Sequence, residues 1–65
     1  MTTAHTQGRT TTYSRDDLDL GVVAKVRYQG GWIVRRVISP DEFTLQRVAT
    51  REYAEALAIR HADSL

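Results

Sequence analysis

The residues of this chain that could do chemistry are cations spaced along its middle. Residues 21–51 hold six cations against two carboxylates, although the net charge of the whole chain is only +1. Guanidinium and ammonium groups bind phosphate, and amide side chains read base edges. The pattern predicts non-catalytic nucleic-acid binding by Lys25, Arg27, Arg35, Arg36, Gln46 and Arg47.

No catalytic, cofactor or metal pattern accompanies these cations in the sequence. His61 has no second histidine or carboxylate at helical spacing with which to share a metal. The aspartates between residues 16 and 19 lack the glycine and the closing glutamate of a calcium loop. Gly30-Gly31 lacks the further spacing of a phosphate loop. We therefore expect a protein that is not an enzyme and uses no cofactor or metal.

Three strands are predicted to position the cations. From Leu18 to Tyr28 every even position is apolar or aromatic, which is the period of a strand with one buried face. Gln29-Gly30-Gly31 then predicts a hairpin turn, and Trp32–Ile38 an antiparallel second strand. A turn at residues 39–42, which contains the only proline, separates this strand from a third at Phe43–Val48.

A helix is predicted to follow the third strand. Thr50 is a suitable N-cap, and Arg51 begins a run with helical periodicity. The residues predicted to face the sheet are Tyr53, Ala54, Leu57, Ala58, His61 and Ala62. Ile59 falls on the opposite side of the helix and is expected to be exposed.

The first fifteen residues are rich in threonine and hold almost nothing apolar. They predict a flexible arm, because so few apolar groups do not offset the entropy of ordering the chain. An alternative is an arm that orders on a partner, with Arg9 and Arg15 on phosphate. The predicted fold is α+β: one βββα domain at 16–65, with a three-stranded antiparallel sheet, a C-terminal helix and an arm at 1–15.

In this arrangement the helix covers one face of the sheet and leaves the other open. The covered face is expected to hold Val22, Ala24, Val26, Tyr28, Trp32, Val34, Ile38, Phe43 and Leu45, with Arg36 at an edge. The open face is expected to show Val23, Lys25, Arg27, Ile33, Arg35, Val37, Thr44, Gln46 and Val48. Such a face suits DNA binding, suits a protein partner, or is a solvated face that happens to be basic.

A protein-interaction module is the alternative function. Its interface would be formed by Val23, Ile33, Val37, Val48 and Ile59. A chain of 65 residues without cysteine builds only a marginal core, so a homodimer or a protein partner is expected more often than for a larger domain.

Two segments resemble known families. They are Gly31-Trp32-Ile33-Val34-Arg35-Arg36 and the helix opening Ala49-Thr50-Arg51-Glu52-Tyr53-Ala54. They are similar to the arm-type DNA-binding N-terminal domain of tyrosine recombinases and to short bacterial proteins of uncharacterised function, over Val22 to Ala62. The recombinase resemblance implies DNA binding by Lys25, Arg27, Arg35 and Gln46.

The chain departs from the recombinases because it has no recombinase catalytic domain. A stand-alone DNA-binding accessory or regulatory protein of a phage or mobile element fits better than an integrase fragment. The sequence shows no secretory signal and no apolar run of membrane-spanning length, so a cytoplasmic location without membrane association is expected.

Overall fold

The computed structural model describes residues 2–65 and shows one antiparallel sheet with one helix packed on it. The strands follow one another across the sheet in chain order. The strands are β1 (Thr2–Gln7), β2 (Thr10–Arg15), β3 (Val22–Tyr28), β4 (Trp32–Ser39) and β5 (Glu42–Val48), and α1 spans Arg51–Asp63. A 3-10 turn at Asp16–Leu18 links β2 to β3.

The prediction of a three-stranded sheet with a disordered arm is wrong, because residues 2–15 form two further strands. β1 and β2 pair around a turn at Gly8, whose positive φ of 64° suits a two-residue hairpin. The threonines have high strand propensity and bond to one another across the hairpin, Thr6 Oγ1 to Thr11 Oγ1 at 3.0 Å. An edge strand needs few apolar residues, so the polar composition does not prevent this hairpin from forming.

The predicted helix is confirmed, and it begins at Arg51 as expected. The hydroxyl of Thr50 accepts a hydrogen bond from the backbone N–H of Tyr53 at 3.2 Å, which makes it the N-cap. Ala54, Ala58 and Ala62 are the residues that α1 buries. Tyr53 was predicted to face the sheet and is instead 58% exposed.

The core between α1 and the sheet is thin. Its buried members are Tyr13, Ala24, Val26, Val34, Ala54 and Ala58, with Trp32, Val48 and Leu57 packed at its margin. Small alanines bring the helix close to β3 and β4, but they bury little area. Ten large apolar side chains are left at least 40% exposed among the described residues.

Arg15 ties the end of β2 to the end of the helix. Its Nη1 donates to the backbone carbonyl of Ala62 at 2.5 Å, and its Nε and Nη2 bond both carboxylate oxygens of Asp17. A cation at a helix C-terminus is stabilised by the helix dipole. Arg15 is therefore engaged within the fold and lies at the end of a strand, whereas the alternative prediction placed it on an arm that orders on a partner.

A bulge in β4 reverses the predicted faces of β5. Ser39 pairs with Glu42 and Val37 pairs with Phe43, so Ile38 is an extra residue on β4. One extra residue moves every following side chain of the partner strand to the other face. Phe43 and Leu45 consequently lie on the open face, whereas Gln46 and Val48 lie on the helix side. The predicted assignment of β5 is wrong for this reason.

Candidate nucleic-acid interface

The sheet surface that faces away from α1 is the candidate site, and we call it the basic face. Its members on β3, β4 and β5 follow from the cross-strand register, because directly paired residues project to the same side. They are Lys25, Arg27, Ile33, Arg35, Val37, Phe43, Leu45 and Arg47.

Four cations of the basic face lie in neighbouring positions. Lys25 is directly opposite Arg35, and Ile33 is directly opposite both Arg27 and Arg47. Directly opposed residues of an antiparallel pair have β-carbons about 4.5–5.5 Å apart. None of the four forms an ion pair within residues 2–65, where Arg15 pairs with Asp17 and Arg51 pairs with Glu55. The site is therefore a cluster of cations without internal neutralisation.

Arg35 is stacked on Phe43. The guanidinium carbon of Arg35 lies 4.1 Å from the ring centroid, a cation–π geometry. Phe43 is 48% exposed, so much of its ring remains accessible. A guanidinium plane and an aromatic ring side by side offer surfaces on which an unpaired base can stack.

Arg47 lies beside the turn between β3 and β4. A β-carbon added at Gly31 would lie 3.5 Å from Cδ of Arg47, so the arginine stem passes directly over this glycine. The absence of a side chain at Gly31 leaves room for Arg47 to cross the hairpin. Its exposed guanidinium is thereby held near the end of the basic face where Arg27 and Ile33 lie.

Arg36 and Gln46 belong to the predicted binding set but lie on the other side of the sheet. Arg36 is paired with Ala24, a member of the core, and is half-buried. Burial and then the nearby charges of Arg36 and Arg60 lower the pKa of His61, which places Arg36 near the helix. Gln46 is paired with Val34 on the same side. Four of the six predicted cationic or amide residues are therefore brought together, and these two are not.

The residues of the alternative interface are separated by the fold. Ile33 and Val37 are half-buried on the basic face, and Val48 packs against the core below α1. Val23 is only 5% exposed, although it is not part of the main core cluster. Ile59 is 43% exposed on the outer side of the helix, as expected for its position.

Phe43 and Leu45 are the site residues that sequence reasoning missed. Both are large and apolar, so the sequence pattern assigned them to the core. Only the bulge at Ile38 brings them to the basic face. A two-residue period along β5 contains no signal of an extra residue on the strand beside it.

Within residues 2–65 no cluster of three or more His, Asp or Glu side chains is arranged to hold a metal ion. No helix of the described chain is both long and apolar enough to cross a membrane. Comparison with protein-family models, with curated proteins and with solved structures found no match to this chain.

Proposed function

We propose that the protein binds DNA through the basic face, without catalysis, as a small accessory or regulatory protein. The proposal rests on one observation: Lys25, Arg27, Arg35 and Arg47 lie together on one sheet surface with no carboxylate partner in the described chain. Phosphate groups would supply the missing negative charge.

The geometry favours single-stranded DNA over a duplex. Neighbouring strands lie about 4.8 Å apart, so the basic face, which spans the three strands β3–β5, is roughly 10 Å wide between its outer backbones, before its side chains are counted. The major groove is about 12 Å wide and admits a helix or a two-stranded ribbon. A flexible single strand can lie across the whole face, with phosphates on the cations and bases against Phe43 and Leu45.

The resemblance to recombinase arm domains supports the same function. It covers Val22 to Ala62, which is β3 to α1 and includes all four cations of the basic face. We infer an accessory role in a phage or mobile element on this resemblance. β1 and β2 are an addition to the three strands that the resemblance implies.

Salt dependence is the first test of this function. Binding of a short labelled oligothymidine and of a duplex of equal length is measured by fluorescence anisotropy as salt is raised. Four phosphate contacts on a single strand predict a slope of about −3 in log affinity against log salt, from about −0.7 for each contact. A slope near zero, or no binding at low salt, would exclude the proposal.

A pair of charge-reversal variants tests the location of the site. Lys25→Glu with Arg35→Glu reverses two directly opposed cations of the basic face and is expected to abolish binding. The matched control is Arg9→Glu with Arg60→Glu, which reverses the same number of exposed charges away from that face. The control is expected to retain most of the affinity. Equal losses of DNA affinity in the two double variants would mean that affinity depends on net charge alone and not on the basic face.

Binding of a protein partner through the basic face is the second candidate. The observation that favours it is the exposure of Phe43 and Leu45, at 48% and 54%, beside Ile33 and Val37. An apolar centre surrounded by arginines is typical of protein interfaces. Binding that persists at high salt, to protein and not to DNA, would favour this candidate.

A further inference from the structure

The edge strand β5 has a whole row of backbone groups without a partner strand. It follows β4 at the end of the sheet, so its second hydrogen-bonding side is open. Six of its seven residues are exposed, and only Val48 is half-buried. Proline, an inward-pointing charge or a covering loop usually protects such an edge. β5 contains no proline, and α1 packs mainly on β3 and β4.

The sequence of β5 is complementary to itself in the antiparallel register that pairs its whole length. If Leu45 lies on a two-fold axis, all seven residues of two copies overlap. On the basic face Leu45 then meets Leu45 of the second copy, and Arg47 meets Phe43. On the helix side Thr44 meets Gln46. Glu42 meets Val48 at each end on the same side. The inner pairs are an apolar pair, a cation–π pair and a hydrogen-bonding pair, and no like charges are directly opposed.

Other registers are less favourable. Centring the pair on Arg47 or on Glu42 would place like charges opposite each other and would pair only three residues or one residue of each strand. Centring it on Thr44 or on Gln46 opposes no like charges but pairs only five of the seven residues. The Leu45 register is therefore selected by overlap, since of these registers only it pairs all seven residues. It is also isologous, meaning that the same patch is used on both copies, as a closed dimer requires.

The helix side of the edge has room for a second strand. A shallow depression of about 400 Å³ lies there, lined by Gln46, Val48 and Tyr53 among others. Tyr53 is 58% exposed and is directed away from the core. In the Leu45 register, Thr44 and Glu42 of the second copy would lie beside this depression.

We propose that the occupant of this edge is a second copy of the chain, joined β5 to β5 in a continuous ten-stranded sheet. The opposite edge is a weaker candidate, because β1 exposes Ala4 but no large apolar side chain. Its first residue is also bonded within the chain, Thr2 Oγ1 to Oδ1 of Asp63 at 2.6 Å. The proposal does not depend on DNA binding, and it is tested without DNA.

A charge-swap experiment at the two-fold axis tests the dimer and its register. Leu45→Lys and Leu45→Glu each place like charges opposite each other, and each is expected to sediment at the monomer mass of 7.4 kDa. The wild type is expected at twice that mass at high concentration. An equimolar mixture of the two variants is expected to associate again, because lysine then meets glutamate. Ile59→Lys, an exposed apolar residue on the helix, is the control and is expected to remain dimeric.

A monomeric wild type at every concentration, or a Leu45→Lys variant that remains dimeric, would overturn the proposal. Two folded monomeric variants that do not associate when mixed would overturn the Leu45 register. Restoration on mixing also excludes unfolding as the cause of dissociation, because mixing does not refold a damaged chain.

A cross-linking variant supplies a measurement that does not depend on charge. The chain has no cysteine, so Leu45→Cys introduces a single thiol. In the proposed register two such thiols lie opposite each other, and oxidation is expected to produce a covalent dimer rapidly. Ile59→Cys is the control and is expected to cross-link only slowly. Equal rates for the two variants would overturn the proposal.

Discussion

The cations of this protein fall into two groups, those with a carboxylate partner in the described chain and those without one. Arg15 is bonded to Asp17 and to the end of α1, and Arg51 is bonded to Glu55 at 3.1 Å. Lys25 and Arg35 are opposed on the basic face and have no carboxylate partner in the described chain. The first pair therefore stabilises the fold, whereas the second is available to a ligand. Sequence position alone does not distinguish them.

The contact between Arg15 and Asp17 predicts an acid-dependent loss of stability. The hydrogen bonds from Arg15 lower the pKa of Asp17 well below its ordinary value of 3.8. The folded state therefore binds this proton less readily than the unfolded state does. The stabilisation from the ionised carboxylate is present at neutral pH and is lost as the pH falls below that ordinary value.

Asp17→Asn tests this dependence. We expect a lower thermal midpoint than the wild type at pH 7, and a difference that shrinks as the pH is lowered into the acid range. Asp41→Asn, which removes an exposed carboxylate in the turn between β4 and β5, is the control. Thermal unfolding followed by circular dichroism measures both. A difference between Asp17→Asn and wild type that is independent of pH would contradict the assignment.

At the scale of elements, alternation and capping predict the second half of the chain well. β4 and β5 lie within one residue of their predicted bounds, and α1 begins at the predicted residue. The prediction for β3 is wrong at its start, because the strand begins at Val22 rather than Leu18 and Asp16–Leu18 forms a 3-10 turn. The elements that were missed are β1 and β2. The sequence signal for these two strands is the high strand propensity of the threonines on both sides of Gly8. They lack an alternating apolar pattern, because Thr11 and Tyr13 are the only residues that they bury.

The basic face was only partly predictable for a different reason. Lys25, Arg27 and Arg35 follow from the alternation of β3 and β4, which is regular in that region. The face of β5 depends on the bulge at Ile38, and a bulge is a property of two strands together. A sequence pattern describes one strand at a time, so Phe43 and Leu45 were assigned to the wrong side.

The N-cap of α1 gives a prediction at the scale of the helix. Thr50→Ala removes the hydroxyl that accepts from Tyr53 N–H and is expected to destabilise the protein by about 1 kcal/mol. In a domain of this size the loss corresponds to a fall of roughly 4–8 °C in the thermal midpoint. Thr50→Ser preserves the acceptor and is expected to stay close to wild type. Equal midpoints for Thr50→Ala and Thr50→Ser would show that the cap contributes nothing.

At the scale of the whole molecule, the core is thin, and two of the large apolar residues that could have filled it, Phe43 and Leu45, lie outside it. α1 buries alanines, and the largest fully buried side chains in the described chain are Val26 and Val34. The bulge at Ile38 moves Phe43 and Leu45 away from the helix. Apolar area that would stabilise the monomer is thus displayed at the β5 edge and on the basic face. A single chain of this kind is expected to be only marginally stable.

The proposed dimer would stabilise a chain with a thin core and would cover part of its exposed apolar surface. Pairing β5 with its copy buries Leu45 at the axis and satisfies the open backbone groups of the edge. It also joins two basic faces into one surface, which doubles the number of cations that a single DNA strand can meet. Longer oligothymidines would then gain affinity from the second copy, whereas the shortest would not.

Coupling between folding and association gives the last prediction. Association stabilises a folded state by mass action, so the thermal midpoint of a dimer rises with protein concentration. We expect the wild-type midpoint to rise by several degrees over a hundredfold range of concentration, and the midpoint of Leu45→Lys to stay constant. Calorimetry or circular dichroism at several concentrations measures both. A wild-type midpoint that does not change would mean that the exposed apolar residues of β5 contribute nothing to stability, and the folded unit would be the monomer.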